Sequence, residues 1–331
     1  MQKIFPIRVE KATVPGYNFI EWKIHNVCNY NCGFCGNRHK DGSQRWLSLD
    51  EYKSYIDKLF LISNDKPLWI QLTGGEPTLF PELLELMIYI KSKGIMLSMV
   101  SNGSRTLRWW RELQEAKVLD QLLITYHSHQ TNNYQHIVEV LNVFSDDPFE
   151  TICLITHEIS SIDTAFEAYD YVIENSDCFI IIKAMMIGSY DIYSMYTPEQ
   201  YEKIKDATLK IGNKRKLPFK FKTTLPPELR LTQTLKITYN DDSSKIVDPQ
   251  DLMKTKENVF MGWDCDIGQT TMRIDYTTVY RGVCEQGAST ELSDPNLNFT
   301  NDFVKCESRD CFCGTDMVAT KILPKELYPQ S

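Results

Sequence analysis

Three of the ten cysteines in this 331-residue chain fall within eight positions of the stretch "VCNYNCGFCG": Cys28, Cys32 and Cys35. Five more gather towards the C-terminus, at Cys265, Cys284, Cys306, Cys311 and Cys313, and only Cys153 and Cys178 lie between the groups. Cysteines at such spacings hold metal ions or iron–sulfur clusters, or pair as disulfides. A structural zinc ion takes four ligands, often as two short cysteine pairs. The first group offers three thiols in one loop, flanked by His25 and His39, and a histidine beside a cysteine cluster more often packs or hydrogen-bonds than ligates. Three thiolates on a four-iron cubane leave one iron open to another ligand. That arrangement suits a reactive centre better than a structural clip.

The elements that must position this loop are legible around it. From residue 18 to about residue 190, short apolar runs rich in β-branched and aromatic residues alternate with stretches of helical period, the pattern of a parallel α/β sheet. Strands are predicted at 19–25, 68–73, 95–101, 121–126, 150–156 and 179–187, enough for a partial TIM-like barrel of six βα units. "SLDEYKSYIDKLFLIS" predicts a helix capped by Ser48, with Glu51 at the capping-box spacing, and "PELLELMIYIKSKG" predicts a second. After "TPEQYEKIKDATLKIGNKRK" the chain turns to short alternating segments such as "TLKITYNDDSS" and "TTMRIDYTTVYRGVC", which predict hairpins. A module so poor in apolar mass needs a staple, and it holds five cysteines. The expected division is an N-terminal extension over 1–17, a barrel over 18–215 and a cysteine-rich domain over 216–331.

The first cysteine group follows the first strand, so it belongs at the C-terminal edge of the barrel, where such folds place their chemistry. Gly33 and Gly36 permit close backbone approach to an inorganic core. After the second strand, "LTGGEPTLF" places Gly74 and Gly75 at a strand end, with Glu76 as an acceptor for an ammonium group; a plain strand-ending turn is the bland alternative. After the third, "VSNGS" offers Ser101 and Asn102 to a carboxylate or ribose, or else forms an Asx-type turn. The fourth ends in "TYHSHQ", where Tyr126 and His127 are candidates for pocket lining or proton transfer, and His127 with His129 forms a His-x-His pair. Lys183, inside the apolar run "FIIIKAMMI", faces either the lumen or solvent.

Cys28-x3-Cys32-x2-Cys35, with Phe34 before the last cysteine, resembles the signature of the radical S-adenosylmethionine (radical SAM) superfamily. The resemblance implies that the three thiolates hold a [4Fe-4S] cluster whose fourth iron chelates S-adenosylmethionine. Reductive cleavage would then give a 5'-deoxyadenosyl radical that takes hydrogen from a substrate. "GGE" at Gly74, Gly75 and Glu76 is similar to the family motif that contacts the cofactor's amino group, and the resemblance implies cofactor contacts for Phe34, Ser101 and Asn102. The run from Cys265 through Gly282 to Cys284 resembles the start of the SPASM or twitch modules that follow many such barrels and carry auxiliary [4Fe-4S] clusters. Five cysteines are too few for two fully ligated clusters, so the single-cluster twitch form fits better, and Cys311-x-Cys313 is tighter than the usual pair. Zinc remains the alternative for this second group. Cys153 and Cys178 read as buried apolar thiols, with hydrogen donation to a substrate radical as the other role.

Composition narrows the partners. A formal net charge of -8 with no basic run offers no footprint for nucleic acid. No stretch approaches the roughly 20 apolar residues of a spanning helix, and the N-terminus shows no signal-peptide pattern, so a cytoplasmic location is expected, with no membrane partner. Reducing surroundings disfavour disulfides among the cysteines. The expected function is hydrogen abstraction from a C–H position of a peptide or small molecule, assisted by an auxiliary cluster and fed by a flavodoxin- or ferredoxin-type reductant. Only about 17 residues precede the first strand, so a peptide substrate would need a separate carrier protein or direct recognition. "CNYNCGFC" with "SNGS" also resembles viperin-type nucleotide dehydratases, which lack a five-cysteine tail. A non-catalytic zinc or iron–sulfur electron-transfer protein would explain the cysteines but not the Gly74–Glu76 and Ser101–Asn102 motifs.

Overall fold

The computed structural model describes residues 4–12, 16–32, 35, 43–157, 162–184, 199, 234–247, 252, 257–282, 284, 289–308, 311 and 314–329. Gly33, Phe34, Gly36, His39, Cys313 and the side chain of Lys183 lie outside them. The chain divides into two compact units. One comprises residues 23–53 and 71–224; the other comprises residues 1–22, 54–70 and 225–331.

The predicted strands form where their apolar runs placed them: β2 Asn18–Lys23, β3 Leu68–Thr73, β4 Met96–Ser101, β5 Gln121–His127, β6 Glu150–His157 and β7 Phe179–Ala184. They are neighbours in chain order. β4 through β7 pair in parallel, with Ser101 opposite Ile124 and His127 opposite Thr156. Helices α1 Leu49–Ile62, α2 Leu83–Ser92, α3 Leu107–Glu115, α4 Tyr134–Val143 and α5 Ile162–Asn175 alternate with them, and the result is an open, partial (β/α)6 barrel. Because every crossover returns the chain in the same direction, the C-terminal ends of β3, β4 and β5 share one rim.

Local chemistry explains the helix starts. The Ser48 and Glu51 backbone N–H groups donate to Glu51 Oε2 and Ser48 Oγ at 2.9 and 3.3 Å, the reciprocal bonds of a capping box worth about 1 kcal/mol. α1 then buries Tyr52, Ile56 and Leu59 at i, i+4 and i+7 spacing. Thr106 and Asn133 cap α3 and α4 through Trp109 N–H and His136 N–H. α4 buries Ile137, Val138, Val140 and Leu141, each contributing about 1.5–3 kcal/mol on full burial.

The unit holding the C-terminal segment has its own sheet, in the order β14 Val304–Lys305, β10 Asp264–Cys265, β15 Lys321–Ile322, β1 Pro6–Lys11, β8 Leu235–Tyr239 and β9 Ser244–Val247. The segment expected as an extension is thus a strand, pairing antiparallel with β8 and β15. The two expected hairpins form: β8 with β9, and β11 Thr271–Asp275 with β12 Thr278–Tyr280. Among the described residues, no helix is long and apolar enough to cross a membrane.

Candidate active site

The cysteine loop is fastened to three successive strand ends. At the end of β3, the Gly75 and Glu76 N–H groups donate to the carbonyls of His25 and Val27, both at 2.8 Å. This approach requires glycine, because a Cβ on Gly75 would lie 2.1 Å from Val27 O and one on Gly74 2.6 Å from His25 O. At the end of β4, Asn102 Nδ2 donates to Asn29 Oδ1 and Asn29 Nδ2 donates to Ser104 Oγ, each at 2.9 Å. Past the end of β5, Asn31 N–H donates to Gln130 Oε1 at 3.3 Å while Gln130 Nε2 returns a bond to Asn31 O at 3.4 Å. Tyr52 adds a fourth support by donating its hydroxyl to Ile24 O at 2.6 Å, just ahead of the loop.

Glu76 joins the first two strand ends. Its Oε1 accepts from Thr78 N–H, Thr78 Oγ1 and Ser101 Oγ at 3.1, 2.7 and 2.7 Å, and its Oε2 accepts from Asn102 N–H at 2.7 Å. Burial raises this carboxyl above the usual carboxylate range, while the donors from Asn102, Thr78 and Ser101 oppose the rise. Ser101 spends its proton on Glu76 and accepts from Gly103 N–H at 3.1 Å, and Asn102 Oδ1 accepts from Ser104 N–H at 3.0 Å, forming the Asx-type turn. These residues therefore build the rim. Oε2 of Glu76, which accepts from Asn102 N–H, keeps acceptor capacity.

The two candidates at the end of β5 separate, because successive strand residues point to opposite faces. Tyr126 is fully buried, donates its hydroxyl to Thr131 O at 2.7 Å and packs edge-on against Tyr134. His127 lies on the cysteine side: its Nδ1 is 3.9 Å from Cys32 Sγ and 2.8 Å from Thr156 Oγ1, and its ring meets Tyr30 edge-on at 5.7 Å. Thr156 Oγ1 also lies 3.1 Å from Tyr126 O, and the tautomer of His127 decides which of the two side chains donates in the pair between them. His129 joins Cys32 and His127 in a trio whose ligand atoms lie within 4.8 Å of one another.

One contributor escaped the motif reading. His136 on α4 donates its Nε2 hydrogen to the carbonyls of Gly103 and Arg105, at 3.1 and 2.9 Å, and so pins the loop after β4. The capping residue Asn133 and the helical period were readable, but nothing in the sequence indicates that bond. His25 is completely buried against Trp46, and burial pushes its imidazole down to about 4, so it is neutral at ordinary pH.

The residues suit a thiolate-bound cluster. Tyr30 N–H donates to Cys28 Sγ at 3.3 Å, and Cys32 is buried while Cys28 and Cys35 are half-buried. Cys265, Cys306 and Cys311 are buried free thiols and Cys284 is half-buried. Burial pushes Cys265 up to about 11 and Cys311 up to about 12, with Lys321 pulling both back, so these thiols stay protonated unless a metal displaces the proton.

Comparison with known proteins matches this geometry. Residues 22–152 match the family described as the Radical SAM superfamily. Curated relatives include "Probable GTP 3',8-cyclase" of Thermococcus kodakarensis, 37% identical over 115 residues, which are 34% of this chain and 36% of that one. Another is the "S-adenosylmethionine-dependent nucleotide dehydratase" of a Thermoplasmatales archaeon, 30% identical over 112 residues, 34% of this chain and 39% of that one. The matched stretch spans just over a third of the length of these relatives. The fold is similar to Streptococcus suis SuiB bound to precursor peptide SuiA, with a TM-score of 0.57 at 13% identity over 87% of this chain and 64% of that one. SuiB is also known bound to S-adenosylmethionine. Residues 22–152 are thus similar to a radical SAM domain.

Proposed function

We propose that this chain is an enzyme that cleaves S-adenosylmethionine reductively at Cys28, Cys32 and Cys35 and takes a hydrogen atom from a C–H position of a peptide or small molecule. The observation that carries the reading is the fastening of one cysteine loop to three consecutive strand ends, which brings the thiols beside Glu76 and Asn102. A [4Fe-4S] cluster held there would pass one electron to the cofactor's sulfonium and release the deoxyadenosyl radical. The chain's own part is to hold three thiolates and keep one side of their loop open. Glu76 Oε2 offers an acceptor to the cofactor's ammonium, and Gly74 and Gly75 let the backbone approach closely. His127 stands beside Cys32 as a positioning residue, while Phe34 is assigned a cofactor contact from its place in the motif alone.

Cys265, Cys284, Cys306, Cys311 and Cys313 are the ligand candidates of an auxiliary [4Fe-4S] cluster, which would serve a net oxidation with a ferredoxin- or flavodoxin-type protein as electron donor. A nucleotide substrate is the second reading, favoured by the names of the relatives that match the barrel segment. Anaerobic reconstitution followed by iron and sulfide analysis is expected to give about eight irons per chain. Four irons with one zinc would remove the auxiliary cluster. Incubation of the reduced protein with S-adenosylmethionine and deuterated candidates, a nucleoside triphosphate against a peptide, is expected to move deuterium into 5'-deoxyadenosine for one class. Transfer from neither would reject both substrate readings.

A further inference from the structure

Lys321 is a buried cation that forms no ion pair among the described residues. Its side chain is 1% exposed, and its Nζ lies 2.6, 3.1 and 3.2 Å from the carbonyl oxygens of Asp316, Ala319 and Met317. Carbonyl oxygens only accept, so three of them need all three hydrogens of an ammonium, and the group is charged. Its fourth direction meets the ring of Phe260, at 5.1 Å from the centroid. Among the described residues, no carboxylate pairs with it. A buried charge in that condition is costly unless an anion lies nearby.

The sheet register supplies the anion. Lys321 on β15 stands directly opposite Cys265 on β10, and Cys265 is in turn opposite Val304, two residues from Cys306. Cys306 and Cys311 are buried in the same core cluster as Phe260 and Met317, both of which the Lys321 ammonium contacts. Three thiols and one ammonium thus share one side of this unit. Asp266 and Asp316 also act on these cysteines and Lys11 adds a like charge, so the local balance is mixed; thiolates on an iron–sulfur core would place further negative charge directly across the strand pair from the ammonium.

We propose that Lys321 is the fixed countercharge of the iron–sulfur centre held by Cys265, Cys306 and Cys311, and that it raises that centre's reduction potential. This rests on the auxiliary-cluster reading. A fixed positive charge favours the more negative, reduced form. At an effective dielectric of about 20, a unit charge within about 12 Å is enough to change the reduced-to-oxidised ratio tenfold. The competing role is architectural: the three carbonyls close the helix Gly314–Met317, and a lysine there could be a simple cap.

The test uses the full chain with Cys28, Cys32 and Cys35 changed to alanine, so that only the second group loads. It is reconstituted anaerobically and titrated against redox mediators by visible absorbance and electron paramagnetic resonance. Lys321→Met is expected to keep the cluster and lower the reduced-to-oxidised ratio at fixed potential at least tenfold, about 59 mV for one electron. Lys321→Arg is expected to stay close to the parent, and Lys321→Gln, which can still donate to the carbonyls, to behave like Lys321→Met. An unchanged potential in a loaded Met or Gln variant would overturn the proposal and leave a cap. Equal loss of iron from folded Gln and Arg variants would overturn it too, because charge would then not be what matters. A parent that takes up no iron would instead overturn the auxiliary-cluster reading itself.

Discussion

Cys32→Ala is expected to abolish cleavage of S-adenosylmethionine. 5'-Deoxyadenosine, measured by chromatography under reducing anaerobic conditions, should fall by more than about a hundredfold, beyond the 10–100-fold typical of losing a partner outside the ligand sphere. Cys32 is the buried member of the three, next to His127 and Tyr30, so no water-exposed substitute ligand can take its place without opening that contact. A His127→Ala change, by contrast, removes only a neighbour and should fall within the 10–100-fold range. Continued cleavage by Cys32→Ala at the parental rate would mean that the chemistry resides elsewhere.

The second large effect is steric. A Gly75→Ala substitution should destabilise the unit that holds the cysteine loop by about 3 kcal/mol or more, since the added carbon would sit 2.1 Å from a backbone carbonyl that has no rotamer to escape into. Relief would need the Gly75-to-His25 and Glu76-to-Val27 hydrogen bonds to lengthen, and those bonds set the loop's position. Gly94→Ala is the matched control. That glycine has a positive φ of 73° but nothing within 4 Å of a new Cβ, so only the backbone cost of about 1–2 kcal/mol applies. Urea titration of the two variants should rank them in that order, and equal stability losses would show that the close approach carries no weight.

Much of this was readable because it is local. The Ser48 and Glu51 pair, the strand runs and the glycines of Gly74–Gly75 each announce themselves within a few residues, and the rim follows from parallel crossovers. What was not readable depends on pairings distant in sequence. Pro6–Lys11 alternates too weakly to stand out, and it becomes a strand only through partners more than two hundred residues away. Tyr126 and His127 look equally suited to chemistry as neighbours in a motif, and only the fold shows that His127 lies beside Cys32 while the Tyr126 hydroxyl bonds Thr131 O. Ser101 and Asn102 were legible as a feature of the site, but their bonds to Glu76 and Asn29 required the fold. Lys321 was invisible because a lone lysine near a chain end reads as a solvated charge until a sheet buries it opposite a cysteine.

The central claim is that three thiolates leave one iron free to hold S-adenosylmethionine. It is tested most directly by electron–nuclear double resonance on the reduced cluster, in protein with the second cysteine group changed to alanine and with S-adenosylmethionine carrying 15N in its amino group. A resolved 15N coupling that disappears with unlabelled cofactor is the predicted result. A reduced four-iron signal with no coupling from bound, labelled cofactor would contradict it.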